Sequence, residues 1–158
     1  MQATSQAPDI RDLRLFDACV TLGYMTAGVP NLTMDNVLAV MDKHDIAEAL
    51  VHNNEARTVY PRERGNRELL AWVAGRPRLH PGWVLEPPAD PDPNAARAMV
   101  QEMLEAGVRV ARLMMGVAPP LPWLWDDLLA ALEEHRVPCL LDFADTRAHG
   151  YPSTQSIP

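Results

Sequence analysis

Three side chains in the run LRLFDACVTLG could do chemistry together. Asp17, Cys19 and Thr21 alternate, so a regular strand through them would aim an acid, a thiol and a hydroxyl to one side. Further along, the polar residues that end apolar runs are His52, Asn53 and Asn54, then Glu86, and finally Asp142 and Asp145; Arg112 lies within an apolar run. Proteins built from parallel strands and helices bind ligands at the carboxyl ends of their strands, so these residues are the candidate lining of one polar pocket.

Each candidate has a chemical reading and a structural one. Cys19 is a possible nucleophile with His52 as its base, although His52 reads equally well as a structural histidine. Asp17 and Thr21 also suit strand-end capping. Glu86 precedes Pro87 and Pro88 and so sits in a rigid turn, open to solvent. Arg112 and Asp142 are a more pointed pair, because charges inside apolar strands are rarely buried unpaired. If the sheet brings them together, they form an ion pair on the pocket floor. Met114 and Met115 read as core filling. Of Trp123 and Trp125, one is expected to pack and the other to line the pocket mouth. Cys19 and Cys139 read as two buried, reduced thiols, and no spacing of cysteine and histidine suggests a zinc site. No Gly-x-Ser-x-Gly elbow and no glycine-rich phosphate loop occurs.

The elements that must position these residues are legible from periodicity. Continuous apolar runs mark strands at 13–20, 48–53, 81–85, 108–115 and 137–143. Between them stand four amphipathic helices. The first carries Met34, Val37, Leu38 and Met41 behind Thr33 as N-cap. The second, shorter, follows Asn66 with Leu69, Leu70 and Val73 and closes at Gly75 and Pro77. Asp92 caps the third, with Pro93 at its first position, Ala96, Met99, Val100 and Met103 on its apolar face, and Gly107 as its stop. The fourth carries Trp125, Leu128, Leu129 and Leu132 and ends at His135 and Arg136.

This alternation implies right-handed crossovers and a parallel sheet. Each strand–helix unit takes about 31 residues, and eight such units make the roughly 250 residues of a (β/α)8 barrel. The expectation is an α/β fold, a partial TIM-type barrel with about five parallel strands and four helices. The alternative is a flavodoxin-like doubly wound sheet. An N-terminal arm at 1–12, one α/β domain at 13–145 and an irregular tail at 146–158 complete the organisation.

Bulk properties limit the function classes. The chain has 158 residues, enough for one domain that buries roughly 70% of its unfolded surface. A net charge of -7 with no basic patch disfavours nucleic acid and anionic membranes as partners. No apolar run approaches the roughly 20 residues of a membrane span. The N-terminal residues show no signal-peptide pattern, which leads to an expectation of a cytoplasmic location.

The segments LFDACVTLG, MDKHDIAEALVHNNEAR, GNRELL, RPRLHPGWVLEP, MLEAGVRVARL and LLAALEEHRVPCLLDF, in that order, resemble the N-terminal half of the amidohydrolase-related family. Its members are metal-dependent TIM barrels, among them hydrolases and decarboxylases of small carbonyl or carboxylate substrates. The resemblance spans residues 13–145 and implies the barrel. It also implies a His-x-His metal pair at the end of the first strand, where this chain has Cys19 and Thr21. The family's fifth-strand histidine has no counterpart, since Asp142 ends that strand here.

A neutral threonine is a poor zinc ligand, so no cofactor is expected for this chain alone. A divalent metal such as zinc is expected only if a second chain completes the site. Three functions follow. The first is an amidohydrolase-like protein, truncated or non-catalytic, that self-associates. The second is an active subunit completed by another chain or a dimer mate, with Cys19, His52, Glu86, Arg112 and Asp142 facing the completed pocket and a small carboxylate as its ligand. The third is a flavodoxin-like module that binds a small anion through Arg112.

Overall fold

The computed structural model describes residues 13–24, 32–58, 62–88, 91–114 and 122–142. The arm at 1–12, the tail at 146–158, Met115 and Asp145 lie outside the described residues.

Helices begin where the capping residues stand. Thr33 and Asn36 form a reciprocal capping box that opens α1, Met34–Lys43, and its Val37 and Met41 are buried. Asp92 accepts from the Asn94 amide at 2.9 Å to open α4, Pro93–Glu105, whose Ala96, Val100 and Met103 are fully buried. Gly107, at φ +82°, ends it in a left-handed conformation that a side chain would resist. In α5, Pro122–Glu134, Trp125, Leu128 and Leu132 are buried while Leu129 stands exposed. Trp125 is the tryptophan that packs, and Trp123 is exposed.

Two helices differ from expectation. A short α2, Asn54–Thr58, follows directly on β2, and α3 runs Arg62–Val73. Five helices are therefore described rather than four. Asn66, expected to precede its helix, is buried inside α3.

The strands are β1 Leu15–Leu22, β2 Ile46–Asn53, β3 Leu79–Pro81, β4 Trp83–Leu85, β5 Ala111–Leu113 and β6 Cys139–Leu141. All pairings between them are parallel, in two three-stranded sheets ordered β1-β2-β3 and β4-β5-β6. The run expected at 81–85 thus divides between two sheets. Gly82 is the joint: its amide donates to Val51 at 2.9 Å, and the next amide, of Trp83, donates to Val110 at 3.1 Å. Neighbours in space follow chain order throughout.

Two core clusters lie on the same side of these strands. Val37, Met41 and Leu69 of α1 and α3 pack on Leu22, Ala49, Val51 and Leu79. Val100, Met103, Trp125 and Leu128 of α4 and α5 pack on Trp83, Leu85, Ala111 and Leu113. A doubly wound sheet places helices on both faces and puts the first strand between two others. Here β1 has β2 as its one strand neighbour among the described residues, and the four longer helices share one face. That arrangement overturns the flavodoxin-like alternative. No closed barrel forms among the described strands, and none of the described helices is long and apolar enough to cross a membrane.

At β4 the ladder gives way to a side chain. The Asn66 carboxamide accepts from the Val84 amide at 3.0 Å and donates to the Val84 carbonyl at 2.9 Å, both buried. It stands where a neighbouring strand would otherwise bond. Asn66→Ala leaves two buried backbone groups unpaired, and the expected cost is about 2–3 kcal/mol in urea unfolding. A loss below about 1 kcal/mol would mean that water replaces the amide there.

Candidate functional site

A bulge decides what β1 presents. Asp17 pairs with Ala49 and Val20 with Val51, so between them β1 sets two residues, Ala18 and Cys19, against the single Leu50 of β2. Paired residues share a face and β2 alternates, so Asp17 goes with the helix-covered side. Thr21, paired with His52, goes with the other. The expected common face of Asp17, Cys19 and Thr21 therefore does not form. Asp17 instead accepts from the Cys19 amide at 3.0 Å, the capping role. Cys19 is exposed and Cys139 half-buried, so the two thiols are not both core residues; burial pushes the Cys139 thiol up.

On the face away from the four long helices, the strand ends do gather charge. Arg112 on β5 donates to one oxygen of Asp142 through Nε at 3.1 Å and Nη2 at 2.7 Å. Arg57 of α2 reaches the same oxygen at 3.1 Å. The Arg112 side chain is only 9% exposed, Asp142 15% and Arg57 25%. The pair anticipated from two charges in apolar strands is thus present, with a second guanidinium shared between them.

His52 is wholly buried, and Gly82 makes the room. A Cβ on Gly82 would fall 2.3 Å from the His52 ring, so no larger residue fits without displacing the imidazole. The Nδ1 atom lies 3.1 Å from the Gly82 carbonyl. A carbonyl only accepts, so Nδ1 carries the proton and Nε2 presents its lone pair. Burial lowers the pKa of the ring from 6.5 to about 4, helped by the positive charges of Arg112 and Arg57 and opposed by the Gly82 bond and Asp142.

Glu86 is not simply solvated. It takes a bond from Arg62, which also donates to the carbonyls of Ala56 at 2.5 Å and Arg57 at 2.8 Å. Arg62 thereby ties α2, and with it Arg57, to the end of β4. Asn53 donates to the Gly65 carbonyl and Asn54 to the Tyr24 carbonyl, so both hold chain segments around the site. Arg57 and Arg62 are absent from the sequence reading. They stand in a polar stretch where charge has no apolar contrast to mark it.

Cys19 and His52 are not brought together. Cys19 stands exposed at the bulge, whereas His52 is enclosed beside Gly82, so the nucleophile–base reading has no geometry behind it. A second polar group occupies the same face at the opposite strand ends. His80 lies 2.6 Å from Glu48, with Arg14 on that carboxylate and Phe16 stacked on the imidazole at 5.9 Å. The His80 bond, with Arg14 beside it, holds the Glu48 carboxyl below its usual range.

Beyond Gly23, a groove of about 460 Å3 is lined by Tyr24, Thr33, Asp35, Glu55, Trp72 and Arg76, among others. Among the described residues, no three histidine, cysteine, aspartate or glutamate side chains come close enough to hold a metal ion. Compared with family models and with curated proteins, the chain matches none of them.

Proposed function

We propose that this chain is an amidohydrolase-like α/β scaffold of the barrel-winding type, with strands β1, β2, β3/β4, β5 and β6 as its first five staves. In this reading it carries out no metal chemistry alone. The observation that carries it is topological: parallel strands neighbour one another in chain order, and the four longer helices lie on one face. Ionic side chains collect at the carboxyl ends of those strands, where barrel enzymes keep their sites.

The donors present do not fit a divalent ion. Cys19 is exposed at a bulge, Thr21 offers a neutral hydroxyl on the opposite face from Asp17, and the Nε2 lone pair of His52 belongs to no group of three histidine, cysteine, aspartate or glutamate side chains among the described residues.

An active site completed by a second chain is the other reading, and the open edges favour it. β1 and β6 each have one strand neighbour among the described residues, and Phe16 and Leu141 are exposed there. Native mass spectrometry of the chain, expressed with zinc, manganese and iron offered, separates the two. The expected result is a self-associated species without retained metal. A monomer that keeps one metal per chain and melts reversibly would overturn the scaffold reading. A metal-bearing complex with another polypeptide would favour completion in trans.

A further inference from the structure

We propose that the carboxyl ends of β2, β5 and β6 bind a small monoanion that carries both an oxyanion and an O–H group. A 2-hydroxycarboxylate and dihydrogen phosphate share that chemistry. These atoms would bind such an ion whatever the ancestry of the chain.

The first support is charge. Arg57 and Arg112 converge on a single oxygen of Asp142, so two fixed positive charges share one negative charge. Arg62 is matched by Glu86 and leaves the balance unchanged. One further negative charge would make the cluster neutral.

The second support is a set of unmet hydrogen-bonding atoms. Arg112 Nη1 and Arg57 Nε are buried donors with no partner among the described residues. His52 Nε2 is a buried atom without a partner as well, and its lone pair requires a donor. Buried polar groups are ordinarily satisfied, and an unpaired one points to a missing ligand or water. Arg112 and His52 do not satisfy each other, although the guanidinium charge acts on the ring.

A simple carboxylate would serve the arginines and leave His52 Nε2 bare. A hydroxyl on the same molecule would donate to it. Arg57 and Asp142 reach solvent, so the cluster opens at the rim, where open parallel sheets take their ligands.

Isothermal titration of the full chain near neutral pH tests this, with glycolate, acetate and phosphate as probes and chloride holding ionic strength constant. The expected result is saturable binding of glycolate or phosphate, with glycolate about tenfold tighter than acetate for the one added hydrogen bond. Arg57→Gln, at the partly exposed member, should weaken binding by about tenfold while its melting confirms an intact fold.

In the unmodified chain, the 15N signal of His52 Nε2 should move on saturation with the bound probe. Glycolate without phosphate identifies a hydroxy acid, and phosphate without glycolate identifies a phosphate; both support the site. Absence of binding by all three probes would overturn the proposal, as would equal affinity in Arg57→Gln. Equal affinity for acetate and glycolate, or an unmoved His52 signal, would overturn the role given to the hydroxyl. None of these outcomes bears on strand order or on metal retention, so the scaffold reading stands or falls separately.

Discussion

Asp142→Ala should lower the unfolding free energy by about 3 kcal/mol, at the lower end of the cost of breaking a buried ion pair. The carboxylate oxygen it removes accepts three donations, two from Arg112 and one from Arg57. Arg57 is partly exposed and can turn toward water, so its loss is small. Arg112 cannot, because its side chain is walled in on β5 between Val84 and Leu140. An uncompensated guanidinium there pays desolvation without Coulombic return.

The pair itself need not be stabilising, and that distinction gives the experiment its control. Arg112→Leu combined with Asp142→Leu removes both charges and fills the strand positions with apolar volume. Most of the stability should return, because replacing a buried pair is often neutral while halving it is costly. Urea unfolding of Arg112→Leu, Asp142→Leu and the double variant closes the cycle. If Asp142→Ala costs less than about 1 kcal/mol, the cluster is hydrated like a surface bridge. The site would then be no dry pocket floor.

How far the sequence led depended on whether a residue stood out from its surroundings. Thr33, Asp92, Pro93 and Gly107 punctuate amphipathic runs, and α1 and α4 start and stop on them. Arg112 and Asp142 were conspicuous because each breaks an apolar run, and they do meet. The misses share the opposite property. Periodicity two cannot register a bulge, so the common face assigned to Asp17, Cys19 and Thr21 failed at one extra residue.

Five residues in α2 are too few to show a period, and the polar run that holds Arg57 and Arg62 hides them. The sequence does carry one further signal. Gly82 interrupts an apolar strand, and a glycine there marks a bulge or a close approach. Here it is a close approach: the His52 ring fills the space its side chain would occupy, and the sheets change over at its amide.

That enclosure sets the second large effect, a loss of stability in mild acid. In the unfolded chain His52 titrates at its ordinary 6.5, whereas in the folded chain its pKa is about 4. Between these values the unfolded state holds a proton that the folded state refuses. Stability therefore rises with pH across this window by about 1.4 kcal/mol per unit. The contribution is complete above 6.5, declines as pH falls through the window, and levels off below the folded value, a total of about 3 kcal/mol.

The groups that act on the ring account for the direction. Loss of water dominates, and Arg112 and Arg57 repel an imidazolium. The Gly82 carbonyl and Asp142 favour the charged ring but do not outweigh them. Chemical unfolding at a series of pH values should show this slope in the unmodified chain, and His52→Gln should remove about one proton's worth of it. Equal slopes in the two proteins would mean that His52 protonates as easily folded as unfolded. The imidazole would then be in contact with water through Nε2, its unpartnered atom.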